Sequence, residues 1–152
     1  MNNEDLNPYS MLYVAKGYKI SAEKIYLHSI QLTEDEDSQN GASFLISSIG
    51  LYSLSIEIGI KAILNIEGNA GVTGHDLKDL FDQLSPTTKN EIKNHLSEDR
   101  FKLHFNTYLN ENKDDLDDFM SWRYNYEKAN ATSSDFLADF ARAIIEVGYD
   151  LE

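Results

Sequence analysis

The chain of 152 residues contains no cysteine, two prolines and one tryptophan. The lack of cysteine excludes thiol catalysis, disulfide bonds and cysteine-ligated zinc, and favours a reducing intracellular setting. Basic residues are also scarce, with 13 lysines and arginines against 26 aspartates and glutamates, which gives a net charge of −13. This balance opposes non-specific binding to nucleic acid or anionic membranes, because such binding neutralises phosphates with cations. Any contact with RNA must therefore be local.

The length predicts a single domain over residues 1–152, large enough to bury an apolar core without a disulfide or a metal ion. The polar, acidic N-terminus is unlike a secretory signal, so we expect a cytoplasmic protein. His28 and His95 have no companions at metal-ligand spacing. We therefore expect neither a metal nor a cofactor.

The most apolar stretch, residues 42–66, is predicted to be a buried central helix. It carries two charges, Glu57 and Lys61, and is apolar on nearly every side of a helix. A strand is the alternative, because apolar and polar residues alternate strictly from Leu54 to Lys61. We favour the helix, since the alternation breaks at Ala62 and the stretch is far longer than an ordinary strand. Its serines and Glu57 argue against a membrane span.

Helical periodicity, capping residues and breakers predict the other elements. These elements are an amphipathic helix over 9–32, an acidic loop over 34–41, a glycine-rich connection over 68–74, a short helix capped by Asp76 or Thr73, a helix starting at Ser85-Pro86, helical spacing from Phe101 to Leu109, and a last helix capped by Ser133 or Ser134. Together they predict an all-α protein, an antiparallel up-and-down bundle of four or five helices.

Three segments, taken in order and spacing, resemble the HEPN superfamily of prokaryotic helical domains. They are Ile-Glu-Ile-Gly-Ile-Lys-Ala-Ile-Leu at 56–64, Gly-His-Asp-Leu-Lys-Asp-Leu-Phe at 74–81, and Trp-Arg-Tyr-Asn-Tyr-Glu at 122–127 before a closing apolar helix. The resemblance covers roughly residues 9–150. It implies a HEPN-like fold that pairs as a homodimer with a groove at the interface. Active members of the family are metal-independent endoribonucleases of toxin–antitoxin, phage-defence and RNA-processing systems.

Those active members use an arginine followed four to six residues later by a histidine, and this chain departs from that pattern. Arg123 stands at the position of the arginine, but no histidine follows it, and Glu127 lies one helical turn on. The nearby alternative is His104, with Arg100 before it. Metal-free RNA cleavage needs a base and a cation that stabilises the phosphorane. Arg123 can supply the cation, whereas Glu127 can act as a base only if burial raises its pKa, which a neighbouring arginine opposes.

The residues around Arg123 are also candidates for binding. Aromatic faces there can stack bases beside a guanidinium that holds phosphate. The alternative is structural, with an i, i+4 ion pair between Arg123 and Glu127 and aromatic rings that fill gaps between helices. The candidate binding residues in this stretch are Arg123, Tyr124, Asn125, Tyr126 and Glu127.

Three further candidates lie near the central helix. Glu57 and Lys61 share one helix face, so we expect them to pair with each other or with Arg123, in a polar cluster that also includes Glu127. His75 is expected to cap the short helix, to brace the connecting loop or to face a ligand groove.

Three functions remain open from the sequence. We favour a non-catalytic HEPN-like module that binds RNA, a nucleotide or a partner protein in a prokaryotic defence or stress system. The second is a divergent metal-independent endoribonuclease that uses Arg123 with Glu127 or His104 as base and Asn125 at the phosphate. The third is a structural or antitoxin-like subunit whose acidic surface docks a basic partner protein.

Overall fold

The computed structural model describes residues 7–111 and 131–151, and all the regular structure in these ranges is helical. The helices are α1 (Pro8–Glu34), α2 (Ser38–Ile66), α3 (Leu77–Asp82), α4 (Pro86–His95), α5 (Asp99–Leu103), α6 (Phe105–Glu111) and α7 (Ala131–Asp150). The predicted all-α class is confirmed. The strand alternative for residues 54–61 is wrong, because these residues lie inside α2 and pack at helical spacing.

A tight turn joins α1 to α2. At the start of α2, the Asp37 side chain accepts a hydrogen bond from the N–H of Asn40. The Asn7 side chain accepts one in the same way from the N–H of Tyr9 at the start of α1. The acidic loop is therefore shorter than the predicted 34–41, since Asp37 begins a new helix as soon as the chain has turned.

The two long helices run antiparallel. Near the turn, a Cβ added to Gly41 would lie 3.1 Å from the carbonyl oxygen of Ser29. Further along, Oγ of Ser55 donates to the carbonyl oxygen of Ala15 over 2.7 Å. The contact on α1 thus moves back from Ser29 to Ala15 while the contact on α2 moves forward from Gly41 to Ser55, so the two helices form an antiparallel hairpin. The bond from Ser55 also satisfies a buried hydroxyl at the centre of the contact.

The last helix, α7, packs against both members of the hairpin. A Cβ on Gly59 of α2 would lie 2.6 Å from Cγ2 of Ile144. A Cβ on Gly148 would lie 2.6 Å from Cδ2 of Leu12 and 3.5 Å from Cγ1 of Ile63. These contacts make α7 parallel to α2 and antiparallel to α1. The two glycines allow the close approach, since any side chain there would meet a neighbouring residue.

An aromatic cluster fills the core between α7 and the short helices α3, α5 and α6. The Phe105 and Phe140 rings meet edge to face at 5.3 Å, and Tyr108 stacks on Phe136 at 4.9 Å. The apolar residues that recur at helical spacing on α3 and α7 are all buried: Leu77, Leu80, Phe81, Phe136, Leu137, Phe140, Ala141, Ile144 and Ile145.

Two sequence expectations about helix limits and burial are wrong. The last helix begins at Ala131, so Ser133 and Ser134 lie inside it and do not cap it. The central helix is not buried all round, because the side chains of Phe44 and Leu54 are each 37% exposed. Among the described residues, α1, α3 and α7 are the main elements that cover this helix.

Candidate functional site

Glu57 and Lys61 lie one turn apart on α2 and form an ion pair. Nζ of Lys61 donates to Oε1 of Glu57 over 2.8 Å, with the glutamate toward the N-terminus, which is the favourable order. Only 15% of the Glu57 side chain and 16% of the Lys61 side chain are exposed. Each charge therefore offsets the cost of removing the other from water. The pairing expected between these two residues is present.

His75 reaches the same carboxylate from the connection between α2 and α3. Its Nδ1 lies 2.9 Å from Oε1 of Glu57, and an ionised carboxylate only accepts, so this contact requires the hydrogen on Nδ1. The rest of the imidazole is open, with 72% of the side chain exposed. Asp76 caps α3 through the N–H of Asp79, so His75 braces the loop and does not cap the helix.

The connection that carries His75 turns at three glycines. Gly68, Gly71 and Gly74 have φ values of 88°, 76° and 103°, a region that side chains disfavour. These turns bring the loop back along α2, so that Val72 packs against the core. The loop is thus held by apolar contact in its middle and by the histidine at its end.

A cleft of about 330 Å³ opens between the start of α1, the second half of α2 and this loop. Most of its wall is apolar, and the Glu57–Lys61 pair supplies its charged groups. Its lining residues are Ser10, Met11, Val14, Glu57, Ile58, Lys61, Asn65, Gly71 and Val72. This volume lies at the lower end of the range for ligand pockets, which suits one amino-acid side chain or a small organic group.

A second charged cluster joins α7 to the end of α4. The Arg142 guanidinium donates hydrogen bonds to Asp139, to Glu146 and to the carbonyl oxygen of His95. Asp139 also accepts a hydrogen bond from the N–H of Ser97 over 2.8 Å. Burial acts to raise the pKa of Glu146, but hydrogen bonds from His95 and Arg142 outweigh it and lower that pKa. Because its hydrogen bonds tie α4 to α7, we assign this cluster a structural role.

The candidate base His104 stands at the junction of α5 and α6, exposed to water. Its backbone N–H donates to the carbonyl oxygen of Arg100. The guanidinium of Arg100 pairs with Glu98 and lies 4.6 Å from the centre of the Phe101 ring. Neither Arg100 nor His104 lines the cleft at Glu57. The structure thus places His104 apart from the other candidates that it describes.

The predicted residues Arg123, Tyr124, Asn125, Tyr126 and Glu127 lie outside the described residues. Of the expected polar cluster, the structure describes Glu57 and Lys61, which form an ion pair. Of the candidate binding residues, the structure brings together Glu57, Lys61 and His75.

Neither a cluster of metal ligands nor a clear membrane span is present in the described part of the chain. Residues 7–111 and 131–151 contain no group of three or more His, Cys, Asp or Glu side chains arranged to hold a metal ion. In the same ranges, α2 is the one helix long and apolar enough to cross a bilayer, and 44% of its most apolar window is buried inside the protein. The core helix of a globular protein has the same length and composition, so these properties alone do not indicate a membrane span.

We compared the chain with models of protein families, with curated proteins and with solved structures, and none of the three comparisons gave a match.

The apolar wall of the cleft was missed from the sequence. The spacing of Met11 and Val14 fits the apolar stripe of the amphipathic helix, yet Val14 is 47% exposed and both residues line the cleft with Ile58. One signal was available. Ile58 lies between Glu57 and Lys61, and charged residues at the margin of an apolar stripe place that part of a helix at the edge of its buried side.

Proposed function

We propose that the chain is a non-catalytic binding module that holds a segment of a partner protein in the cleft beside Glu57 and Lys61. The observation that carries this proposal is the composition of the cleft, in which apolar walls adjoin one internally paired cation. Such a surface resembles the pockets that take a single anchor side chain in protein–protein recognition.

Phosphate recognition fits this cleft poorly. Nucleic acids are bound through unpaired lysines and arginines, often in bidentate geometry. Among the described lining residues, Lys61 is the one lysine or arginine, and Glu57 at 2.8 Å neutralises it. A phosphate entering the cleft would also face the Glu57 carboxylate. The partner-protein form of the binding hypothesis is therefore better supported than RNA or a nucleotide.

The chemistry of the partner follows from the walls and from the net charge. Met11, Val14, Ile58 and Val72 offer an apolar wall for a side chain such as leucine or methionine. The net charge of −13 attracts a basic polypeptide and accelerates its encounter with the protein. The partner we propose is thus a basic segment with an apolar anchor residue. This combines the binding-module hypothesis with the acidic docking surface expected from the sequence.

The resemblance to HEPN domains supports the biological setting of the proposal. The hairpin of α1 and α2 with α7 packed on it is compatible with a HEPN-like antiparallel bundle. Glu57, Lys61 and His75 belong to two of the three segments that carry the resemblance. We accordingly include a cytoplasmic prokaryotic defence or stress system in the proposal, with the chain acting there without RNA cleavage.

A direct test uses two defined probes at physiological salt. One is a positional-scanning library of fluorescent basic peptides, each with one variable residue between lysines or arginines. The other is a fluorescent single-stranded RNA of mixed sequence. We expect peptides with leucine, methionine or phenylalanine at the variable position to bind, and the RNA not to bind. Tight RNA binding without peptide binding would overturn the proposal.

Variants then assign the binding to the cleft. Glu57→Gln keeps the size of the side chain but removes the ion pair and weakens the His75 contact, so we expect at least about tenfold weaker peptide binding. The matched control is Asp82→Asn, which breaks the i, i+4 pair with Lys78 on α3, outside the cleft. Equal peptide affinity in both variants would place the binding site elsewhere.

A further inference from the structure

A second cleft, of about 480 Å³, lies between α1, the end of α4 and α7, and among the described residues it shares none with the cleft at Glu57. Basic side chains from all three helices line it: Lys16, Lys19, His95 and Arg142. Among the described lining residues, the carboxylates of Glu146 and Asp150 accompany them. With His95 counted as neutral, positive charges exceed negative ones by one, in a chain whose net charge is −13. We call this site the basic cleft.

Two of the carboxylates that pair with these cations lie behind them, outside the basic cleft. Lys19 pairs with Glu23, and Arg142 pairs with Asp139 as well as with Glu146. Glu23 and Asp139 line a neighbouring cleft of about 370 Å³ and are not lining residues of the basic cleft. Lys19 and Arg142 line both clefts and so form the partition between them. The positive end of each of these two pairs therefore faces the basic cleft, where its field attracts an anion.

Lys16 is the cation in this cleft that a ligand can engage directly. It is exposed, and within the described residues it forms neither a hydrogen bond nor an ion pair. Lys19 follows three residues later, so two like charges lie on one side of α1 and repel each other. An anion held between them offsets that repulsion. The cleft at Glu57 differs in this respect, because there the lysine is already neutralised by a carboxylate in the same wall.

Apolar groups lie between the charges of the basic cleft. Ile20 of α1 is 40% exposed there, and Ile145 and Tyr149 of α7 line the same space. Burying a hydrocarbon body against these side chains removes apolar surface of both partners from water. The volume lies within the range of pockets that hold small organic molecules, which combine apolar walls with a few polar groups. The cleft thus suits a compact ligand with an apolar body and a charged end.

We propose that the basic cleft binds a small organic acid that carries one carboxylate on an apolar body. A single carboxylate balances the one excess positive charge of the wall, and the ammonium group of Lys16 is the donor that we assign to it. A polyphosphate or an RNA strand brings more negative charge than this wall balances. The neighbouring cleft, which Glu98 and Asp135 also line, repels any further phosphates. The occupant is therefore a monoanion of small-molecule size.

Titrations followed by amide signals in proton–nitrogen NMR spectra test the inference with three related probes. Phenylacetate is a monoanion with an aromatic body, phenylacetamide is its neutral amide, and phenyl phosphate carries the larger negative charge. We expect phenylacetate to shift the amide signals of residues 16–20 and 142–150, which border the cleft. Phenylacetamide should bind at least about tenfold more weakly, because it lacks the charge that Lys16 pairs with. Phenyl phosphate should bind no more tightly than phenylacetate, because its additional charge exceeds what the wall balances.

Variants of exposed lysines on α1 assign the binding to Lys16. Lys16→Gln removes the cation and should weaken phenylacetate binding at least about tenfold. The matched control is Lys24→Gln, which changes the net charge equally at an exposed lysine that lines neither of these two clefts, and should change binding less than about threefold. Lys16→Arg keeps the positive charge and should bind phenylacetate as the wild type does. Circular dichroism verifies that each variant is folded.

Several results would overturn the inference. Amide signals near the cleft that phenylacetate leaves unshifted would show that the site does not take an organic acid. Equal binding of phenylacetamide would show that the charge is not recognised, and tighter binding of phenyl phosphate would identify phosphate as the preferred group. Equal effects of Lys16→Gln and Lys24→Gln would reduce the attraction to overall charge. Because Lys16 does not line the cleft at Glu57, none of these results depends on the outcome of the peptide experiment.

Discussion

Two glycine-to-alanine substitutions should change stability in opposite directions. In a helix interior, alanine is favoured over glycine by about 1 kcal/mol. Gly17 of α1 has no atom within 4 Å of an added Cβ, so Gly17→Ala should raise the free energy of unfolding by about 0.5–1 kcal/mol. At Gly59 of α2 the same Cβ would lie 2.6 Å from Cγ2 of Ile144, about 1 Å inside normal carbon–carbon contact.

The cost at Gly59 depends on whether Ile144 can move. Its side chain is completely buried, and its branched Cβ restricts rotation about χ1. Overpacking a tight core costs about 1–3 kcal/mol, which exceeds the gain in helix propensity. We therefore expect Gly59→Ala to be about 1 kcal/mol less stable than the wild type, and about 2 kcal/mol less stable than Gly17→Ala.

Urea unfolding followed by far-ultraviolet circular dichroism, at one fixed protein concentration, measures both values. A second background isolates the cause. Ile144→Ala removes the methyl group that the new Cβ would meet, so in that background Gly59→Ala should become stabilising. If Gly59→Ala stayed destabilising there, or matched Gly17→Ala in the wild type, the close packing of α2 on α7 would be refuted.

Three further predictions concern the links between elements and the absence of RNA cleavage. Arg142→Ala removes charged hydrogen bonds to α4 and should lower the free energy of unfolding by about 1–2 kcal/mol, whereas the surface variant Arg100→Ala should leave the urea midpoint unchanged. Glu67 accepts from the backbone N–H of Ser85 and from Oγ1 of Thr88; burial acts to raise its pKa, but these bonds lower it. A carboxyl group whose pKa is lower in the folded state stabilises the protein above its unfolded pKa, and this stability is lost as pH falls through the folded pKa. Glu67→Gln should therefore lower the free energy of unfolding by about 1 kcal/mol at pH 7. In unfolding curves from pH 7 to 3, the variant should also lose less stability on acidification than the wild type. Finally, purified protein should leave mixed cellular RNA intact without metal; cleavage that Arg123→Ala abolishes would instead establish the ribonuclease hypothesis.

Much of the helical structure was predictable from local pattern. The cap of α4 at Ser85 was predictable, and the cap of α3 was narrowed to Asp76 or Thr73, because a short acceptor side chain before an apolar row satisfies free N–H groups within three residues. A helix over 42–66 was predictable because the apolar stretch is longer than a strand, and the structure begins this helix earlier, at Ser38. Both signals depend only on residues close together in the chain.

The candidate site was predictable only in part. The Glu57–Lys61 pair follows from i, i+4 spacing on one helix. The contact of His75 with Glu57 spans 18 residues and depends on how three left-handed glycines turn the loop. The apolar wall of the cleft brings Val14 beside Ile58, which depends on the register of α1 against α2.

The sequence by itself determined that the protein is helical, that it is strongly acidic, and that Ser85 caps α4. These properties follow from composition and from interactions within one or two helical turns. Only the tertiary structure decided which side of α2 is covered, because a helix that is apolar nearly all round specifies no direction for its partners. The contacts of Ser55 with Ala15 and of Gly59 with Ile144 select that direction, and they leave Phe44 and Leu54 partly exposed.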